Sequence, residues 1–179
     1  MNTSEEQDGR AEVRIGLRFV AAGNAIDADT LVQTLRGTLE LLAQVQARSE
    51  ALADIRIQAM PPAPGSFLID LQLALEWVGI AAATLTRSES LSRLRNAVGT
   101  VRDVLDIRKH FRQVTPTVTP TPEGERIITP EGVTINGNTI TIIFYQNSAV
   151  GCAIDRIATA TALDPGVTGF EVLDESHNP

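Results

Sequence analysis

The sequence is poor in the residue types that most often carry enzyme chemistry. Among 179 residues it has one cysteine, two histidines and a single lysine. Because Cys152 has no second cysteine to pair with, an intramolecular disulfide and a cysteine-based metal cage are excluded, which fits a reducing compartment. A zinc site or a histidine-based triad needs more partners than His110 and His177 provide. No glycine-rich phosphate loop ending in lysine is present. The composition predicts a non-enzymatic protein with no cofactor and no metal.

Paired carboxylates are the remaining candidates for acid–base chemistry. Asp70 and Glu76 fall on the polar face of one predicted strand, where six residues separate them by about 20 Å. Asp27 and Asp29 stand where a helix is expected to begin, and carboxylates there stabilise the helix dipole. An active site would therefore need carboxylates that meet only in three dimensions.

A signal peptide and a positive net charge are also lacking. The N-terminus reads MNTSEEQDGRA, whereas a signal peptide has a basic start and an apolar core. We expect residues 1–11 and 175–179 to be disordered tails, and the protein to be cytoplasmic. The formal net charge of −7 disfavours nucleic acid as a partner.

The chain has no uninterrupted apolar run of membrane-spanning length. Its most apolar stretch, residues 60–85, contains Asp70 and Glu76, and a span needs about 20 apolar residues with few charges. A membrane partner is therefore not expected. Large apolar residues alternate with the others in this stretch and predict a strand with one apolar face: Phe67, Ile69, Leu71, Leu73 and Leu75. The alanine-rich segment from Trp77 to Thr86 predicts a short buried helix.

Periodicity elsewhere predicts an α+β fold. Alternation over residues 13–19 and 54–59 indicates two further strands. A helix is expected over about 27–50, and Gly37 inside it is explained either by close packing on the sheet or as a defect costing about 1 kcal/mol. A second helix is expected from Ser88 or Ser90 to near Gln113. The first helix has apolar residues every three or four positions on its expected buried stripe: Leu31, Leu35, Leu39, Leu42 and Val45.

The C-terminal part reads as a smaller lobe. Residues 115–123, rich in proline and threonine, predict a linker between an N-terminal lobe at 12–114 and a C-terminal lobe at 124–174. In the N-terminal lobe a β-α-β-β unit precedes the long helices. Two hairpins are expected in the C-terminal lobe, with turns at Pro130-Glu131-Gly132 and Asn136-Gly137-Asn138 and strands at 127–129, 133–135 and 139–142, the last running into a β-prone Ile142–Tyr145. A helix over 148–163 and a strand over 169–173 complete this lobe.

The segment from Thr86 to Gln113 is basic within an acidic chain. Its net charge is +4, from seven cations and three carboxylates: Arg87, Arg93, Arg95, Arg102, Arg108, Lys109 and Arg112 against Glu89, Asp103 and Asp106. One interpretation is a solvated face that complements acidic neighbours. The other is a site for an anionic small molecule or an acidic protein surface, with Arg102, Arg108, Lys109 and Arg112 as the candidate ligand-binding residues.

The same helix has a second pattern on its apolar side. Leucines and valines recur at spacings of 3, 4, 3 and 4, the rhythm of a helix-pairing seam: Leu91, Leu94, Val98, Val101 and Leu105. The favoured interpretation is packing against the chain's own first helix. The alternative is an assembly seam that is shared between subunits.

Three segments resemble uncharacterised small proteins from phages, prophages and bacterial mobile elements. They are RFVAAGNAIDADTLVQTLRGTLELL, IRIQAMPPAPGSFLIDLQL and VTINGNTITIIFYQNSAVGCAIDRIATATALDPGVTGFEVLD, and together they span most of residues 15–174. The motifs that carry the resemblance are Asp27-Ala28-Asp29 and Gly65-Ser66-Phe67. The resemblance implies a mobile-element context, in which the cytoplasm is that of the bacterial host, and it carries no catalytic residue over.

These observations lead to a functional expectation with two alternatives. The expectation is a non-enzymatic binding or assembly protein of phage or mobile-element origin that acts as a homo-oligomer. The first alternative is a membrane-active protein that inserts residues 67–85. The second is an anti-defence protein that sequesters a nucleotide signal with the basic helix at 86–113.

Overall fold

The computed structural model of the chain describes residues 12–21, 25–48, 55–60, 68–75, 87–111, 116–122, 124–128, 132, 134–136 and 139–176. Seven strands and four helices lie in these ranges. In chain order they are β1 (Glu12–Ala21), α1 (Ala28–Arg48), β2 (Ile55–Ala59), β3 (Leu68–Leu75), α2 (Arg87–Phe111), β4 (Val118–Thr121), β5 (Gly124–Ile128), β6 (Thr134–Asn136), α3 (Thr139–Tyr145), α4 (Ser148–Leu163) and β7 (Val167–Leu173). The predicted α+β class is confirmed.

The larger sheet has four antiparallel strands in the order β2-β3-β1-β7. Between β1 and β3, Val13 pairs with Leu73, and Ile15 with Leu71. These side chains are at most 2% exposed, so the alternation in each strand selects the same inner face. The predicted inner faces of both strands are confirmed for the described side chains, whereas Phe67 and the side chain of Leu75 lie outside them.

The helices α1, α2 and α4 bury this inner face. Their apolar residues form one core cluster with those of β1 and β3, including Leu41 and Leu42 of α1, Val101 of α2 and Ile154 of α4. At about 25 cal/mol per Å² of buried apolar surface, this shared cluster is the main stabilising contribution to the fold.

The buried face of α1 keeps part of the predicted leucine stripe, since Leu42 is buried and Leu35 and Val45 pack against the main core. Leu39 is 41% exposed, whereas the side of α1 that packs on α4 is built from small side chains. Small residues allow the two helices to approach closely, so size rather than hydropathy selects the interface. The buried residues of α1 are Thr30, Thr34, Gly37, Thr38, Leu41 and Leu42.

Polar side chains fix both ends of α4, which has the bounds that the sequence predicts. Asn147 caps its start, and its Oδ1 accepts from Ala149 N at 2.9 Å and Val150 N at 3.3 Å. At its end, the Asp164 carboxylate accepts from Asp27 N and Gly166 N, each at 2.9 Å. The hydrogen bond from the Asp27 amide lowers the pKa of Asp164, and the Gly166 amide acts in the same direction.

The smaller sheet has the antiparallel order β4-β5-β6, and β4 lies inside the predicted linker. Proline is compatible with this strand because β4 is an edge strand and needs to donate on one side only. Pro120 is the proline within the strand, opposite Glu125. The predicted hairpin between β5 and β6 is confirmed, and Gly132 in its turn has a φ of 81° that glycine adopts without strain.

The second predicted hairpin is wrong, because the segment TITIIFY forms α3 instead of a strand. Ile142 packs against Ile107 and Phe111 of α2, and Phe144 joins the main core. Helical geometry lets this short segment reach both clusters, whereas Ile143 between them is 53% exposed. Tertiary packing overrides β propensity here.

The C-terminal elements return to the N-terminal sheet, which differs from the predicted division into two lobes. The strand β7 pairs with β1, with Leu17 opposite Val172, and α4 packs on α1. A sequence-distant strand and helix thus complete the first sheet and its cover. The region between α2 and α4 contains the small sheet and α3.

The predicted helix at Trp77–Thr86 lies outside the described residues, as do both predicted tails apart from residues 175 and 176. Within the described ranges, no helix combines the length and the hydropathy that a membrane crossing requires.

Candidate functional site

The helix α2 positions the cations that the sequence analysis selected. Its apolar side faces the core, with Leu94, Val98 and Val101 at most 5% exposed and Leu91 and Leu105 packed against the same cluster. This packing fixes the rotation of the helix, so the cations near its C-terminal end are directed toward α4 and β7. The predicted seam is therefore occupied by the chain's own core, and its role in assembly stays a prediction.

A groove with a volume of about 1000 Å³ lies between α2, α4 and β7. We call it the α2–α4–β7 groove. Its apolar floor and walls are formed by side chains from all three elements, namely Leu105, Ile154, Ile157, Ala158, Phe170 and Val172. A volume of this size is at the upper end of the range of about 300–1000 Å³ for ligand sites in proteins.

Phe170 extends the apolar surface of the groove onto the sheet. Its ring packs on Phe19 of β1, with 5.3 Å between the ring centroids and a tilt of 57°. This geometry is favourable for an aromatic pair and holds the Phe170 ring over the inner face of the sheet. The groove thus has one fixed aromatic ring among aliphatic side chains.

The polar rim of the groove lies mainly on α2. Arg102, Asp106, Arg108 and Lys109 all line it. Arg108 forms an ion pair with Asp155 of α4, and Arg102 has a longer pair with Asp174 beyond β7, at 3.8 Å. These pairs join α2 to the other two walls. Lys109 is exposed and has no ion-pair partner within the described part of the chain.

Three of the four predicted ligand-binding residues are thus brought together. Arg102, Arg108 and Lys109 line one groove, and Arg112 lies outside the described residues. The α4 wall and β7 were not predicted as parts of the site. The sequence predicts a helix at Ile154 and Ile157 and a strand at Phe170, but nothing local in the sequence indicates that they would meet α2.

Asp103 is the described residue of α2 whose pKa is raised most clearly. Partial burial of its carboxyl, followed by repulsion from Asp106, raises the pKa of Asp103 to about 6, and Arg102 opposes the shift. The group is outside the lining of the groove. The Asp103 carboxyl therefore belongs to the same helix as the rim cations but is not part of the groove wall.

Among the described residues, no three histidine, cysteine, aspartate or glutamate side chains form a group that could hold a metal ion. Cys152 is exposed on α4, and His110 is half-buried near the end of α2; neither lines the groove. The groove can bind through apolar contact and charge.

Comparison of the chain with protein-family models, with curated proteins and with solved structures gives no match in any of the three. Any function must therefore be argued from the site alone.

Proposed function

We propose that this protein is a non-enzymatic binding protein that holds an anionic partner with an apolar part in the α2–α4–β7 groove. One observation supports this most directly. The groove combines a wide apolar floor with a rim wall on α2 that has three cations and one carboxylate. Such a surface complements a molecule that is apolar along one side and negatively charged along another.

The binding role has more support than assembly through the predicted seam. Leu94, Val98 and Val101 are buried in the chain's own core, so a subunit that used them would have to displace α1 and the sheet. The groove needs no such rearrangement. The origin in a phage or mobile element and the homo-oligomeric state are part of the proposal, and they rest on the sequence patterns.

The test uses anilinonaphthalene sulfonate, a fluorescent dye with an apolar ring system and one negative charge. We expect saturable binding to one site per chain, with the emission increase that an apolar environment produces. Ala158 is exposed on α4 and lines the groove, so Ala158→Trp should fill the site and remove most of the signal. Ala149→Trp is the matched control, because Ala149 is exposed on the same helix outside the lining.

Charge is tested separately with Lys109→Glu, which should weaken dye binding about tenfold, because attraction is replaced by repulsion. Arg36→Glu makes the same charge change on α1, where Arg36 is exposed and far along the chain from the groove, and should leave binding unchanged. The proposal fails if Ala158→Trp and Ala149→Trp bind the dye equally well. It also fails if both charge variants weaken binding to the same extent.

A further inference from the structure

The strand β7 forms an open edge of the larger sheet beside the groove. It pairs with β1 on one side, and no described strand pairs with its other side. Five consecutive residues of β7, from Thr168 to Val172, line the groove. Phe170 and Val172 belong to the inner face of the sheet, whereas Gly169 and Glu171 belong to the outer face. Because five consecutive residues of β7 line it, the groove runs along this strand.

This edge has only part of the usual protection against pairing with another strand, namely the register shift at Thr168 and the charge of Glu171. Sheet edges are commonly blocked by lysine, proline or very short strands. The strand β7 has seven residues, VTGFEVL, with neither lysine nor proline. Besides the ladder with β1, the described backbone hydrogen bonds include none to residues 168–172. Alternate residues of an edge strand direct N–H and C=O groups away from the sheet, so β7 presents a row of them to the groove.

The dimensions and lining of the groove fit an extended segment along this edge. An added strand would lie about 4.8 Å from β7 and point successive side chains to opposite faces. The set that faces the helices would then meet Ile157 and Leu105 on the apolar wall and the cations of α2, and the other set would face solvent. Backbone hydrogen bonds supply affinity in this arrangement, and the alternating pockets supply specificity.

The charges on α2 select the chemistry of the segment. Arg102, Arg108 and Lys109 line the groove against two carboxylates, Asp106 and Glu171. Arg102 and Arg108 already pair with Asp174 and Asp155, so Lys109 is the cation that favours an acidic side chain most directly and repels a basic one. A second copy of the chain suits the site less well. Antiparallel pairing of β7 with the β7 of another copy would bring the two cationic α2 walls to the same face of the joined sheet.

We infer that the groove recognises an extended acidic peptide, which adds as a strand to the free edge of β7 and directs both apolar and acidic side chains toward the helices. This inference rests on the proposed function and names the class of partner for the same site. The partner is a different protein that has such a segment.

The experiment is a selection on the full chain from a displayed library of random peptides longer than β7, with the Ala158→Trp chain used for counter-selection. We expect enriched peptides in which every second residue is apolar or acidic, so that both kinds of side chain lie on the same face of the added strand. The affinity of the chain for a synthesised copy of an enriched peptide should fall about tenfold with Lys109→Glu and be unchanged with Arg36→Glu. The same peptide should slow amide hydrogen exchange at alternate residues of 168–172, a change that side-chain contact alone would not cause.

Three results would overturn the inference. The first is a selection without enrichment over the Ala158→Trp chain. The second is a bound peptide that leaves exchange in β7 unchanged. The third is a stable dimer at micromolar concentration with protected β7 amides, which would identify a second copy as the occupant. If the dye still binds in the groove while no peptide is enriched, the proposed function stands and the peptide inference alone fails. If neither binds, both fail.

Discussion

Gly37 on α1 and Ile157 on α4 lie so close that no β-carbon fits between them. A Cβ built on Gly37 would be 2.6 Å from Ile157 Cγ1 and 2.8 Å from the carbonyl oxygen of Ala153. The second neighbour is backbone, which cannot rotate away as a side chain can. The contact explains the glycine in the middle of a long helix, and the packing partner is α4 where the sequence suggested the sheet.

Gly37→Ala should therefore destabilise the protein by about 1–3 kcal/mol through overpacking, although alanine is the better helix former by about 1 kcal/mol. Gly99→Ala on α2 is the matched control, because a β-carbon there meets no atom within 4 Å. That variant should raise the free energy of unfolding by up to about 1 kcal/mol. Urea denaturation of both variants measures the difference. Equal stabilisation by the two substitutions would contradict the close contact.

The same interface contains a buried hydroxyl that is not hydrogen-bonded. Thr34 is fully buried, and its Oγ1 has no hydrogen-bond partner among the described residues. Thr34→Val keeps the shape and removes an unpaired polar atom, so we expect it to raise the free energy of unfolding by about 1 kcal/mol. Thermal denaturation should show a higher midpoint.

The control for this prediction is Thr38→Val one turn later. Thr38 is equally buried, but its hydroxyl donates to Thr34 O at 2.9 Å. Removing that hydrogen bond should cost about 1 kcal/mol, so the two threonine variants should move in opposite directions. A loss of stability in both would mean that the Thr34 hydroxyl has a partner after all.

Much of this fold follows from local sequence pattern. The alternation from Val13 to Phe19 and from Ile69 to Leu73 determines both the strands and their buried face, because a strand has a period of two residues. The start of α4 is similarly local, since Asn147 is followed by a regular run of small and apolar residues. These features were predictable from neighbouring residues alone.

The features that the sequence did not reveal depend on distant contacts. Ile142 and Phe144 are β-prone residues, and only the cavities offered by α2 and the main core make a helix the better arrangement for them. The candidate site likewise has one part that was predictable from the sequence and one that was not. The cations of α2 were predictable as a basic cluster in an acidic chain, whereas the walls from Ile157 and Phe170 exist only after β7 has paired with β1.

The cap of α4 offers a further test, because this helix forms one wall of the groove. Asn147→Ala removes the acceptor for two amides at the helix start and should lower the free energy of unfolding by about 1 kcal/mol. Asn147→Asp keeps the acceptor and adds a charge that the helix dipole favours, so it should be neutral or stabilising. A comparison of denaturation midpoints tests the capping role. If Asn147 does not cap the helix, Asn147→Ala should leave the midpoint unchanged.

Asp103 predicts an unusual dependence of stability on pH. Its pKa is about 6 in the folded protein, against an ordinary value of 3.8, so the folded state binds this proton more tightly than the unfolded state. The free energy of unfolding should therefore fall as the pH rises from about 4 to about 6 and stay lower above that window. Because the carboxyl is only partly buried, we expect its contribution to be about 1 kcal/mol after solvent screening.

Asp103→Asn should remove this part of the pH dependence and stabilise the protein at neutral pH, as measured by denaturation at a series of pH values. Asp106→Asn is an informative companion, because repulsion from Asp106 is the smaller of the two causes of the shift. It should shift the window toward lower pH without abolishing it, since the burial of Asp103 is unchanged. If the Asp103→Asn protein loses stability between pH 4 and 6 as the parent chain does, another carboxyl is responsible, and Asp103 ionises there without cost to the fold.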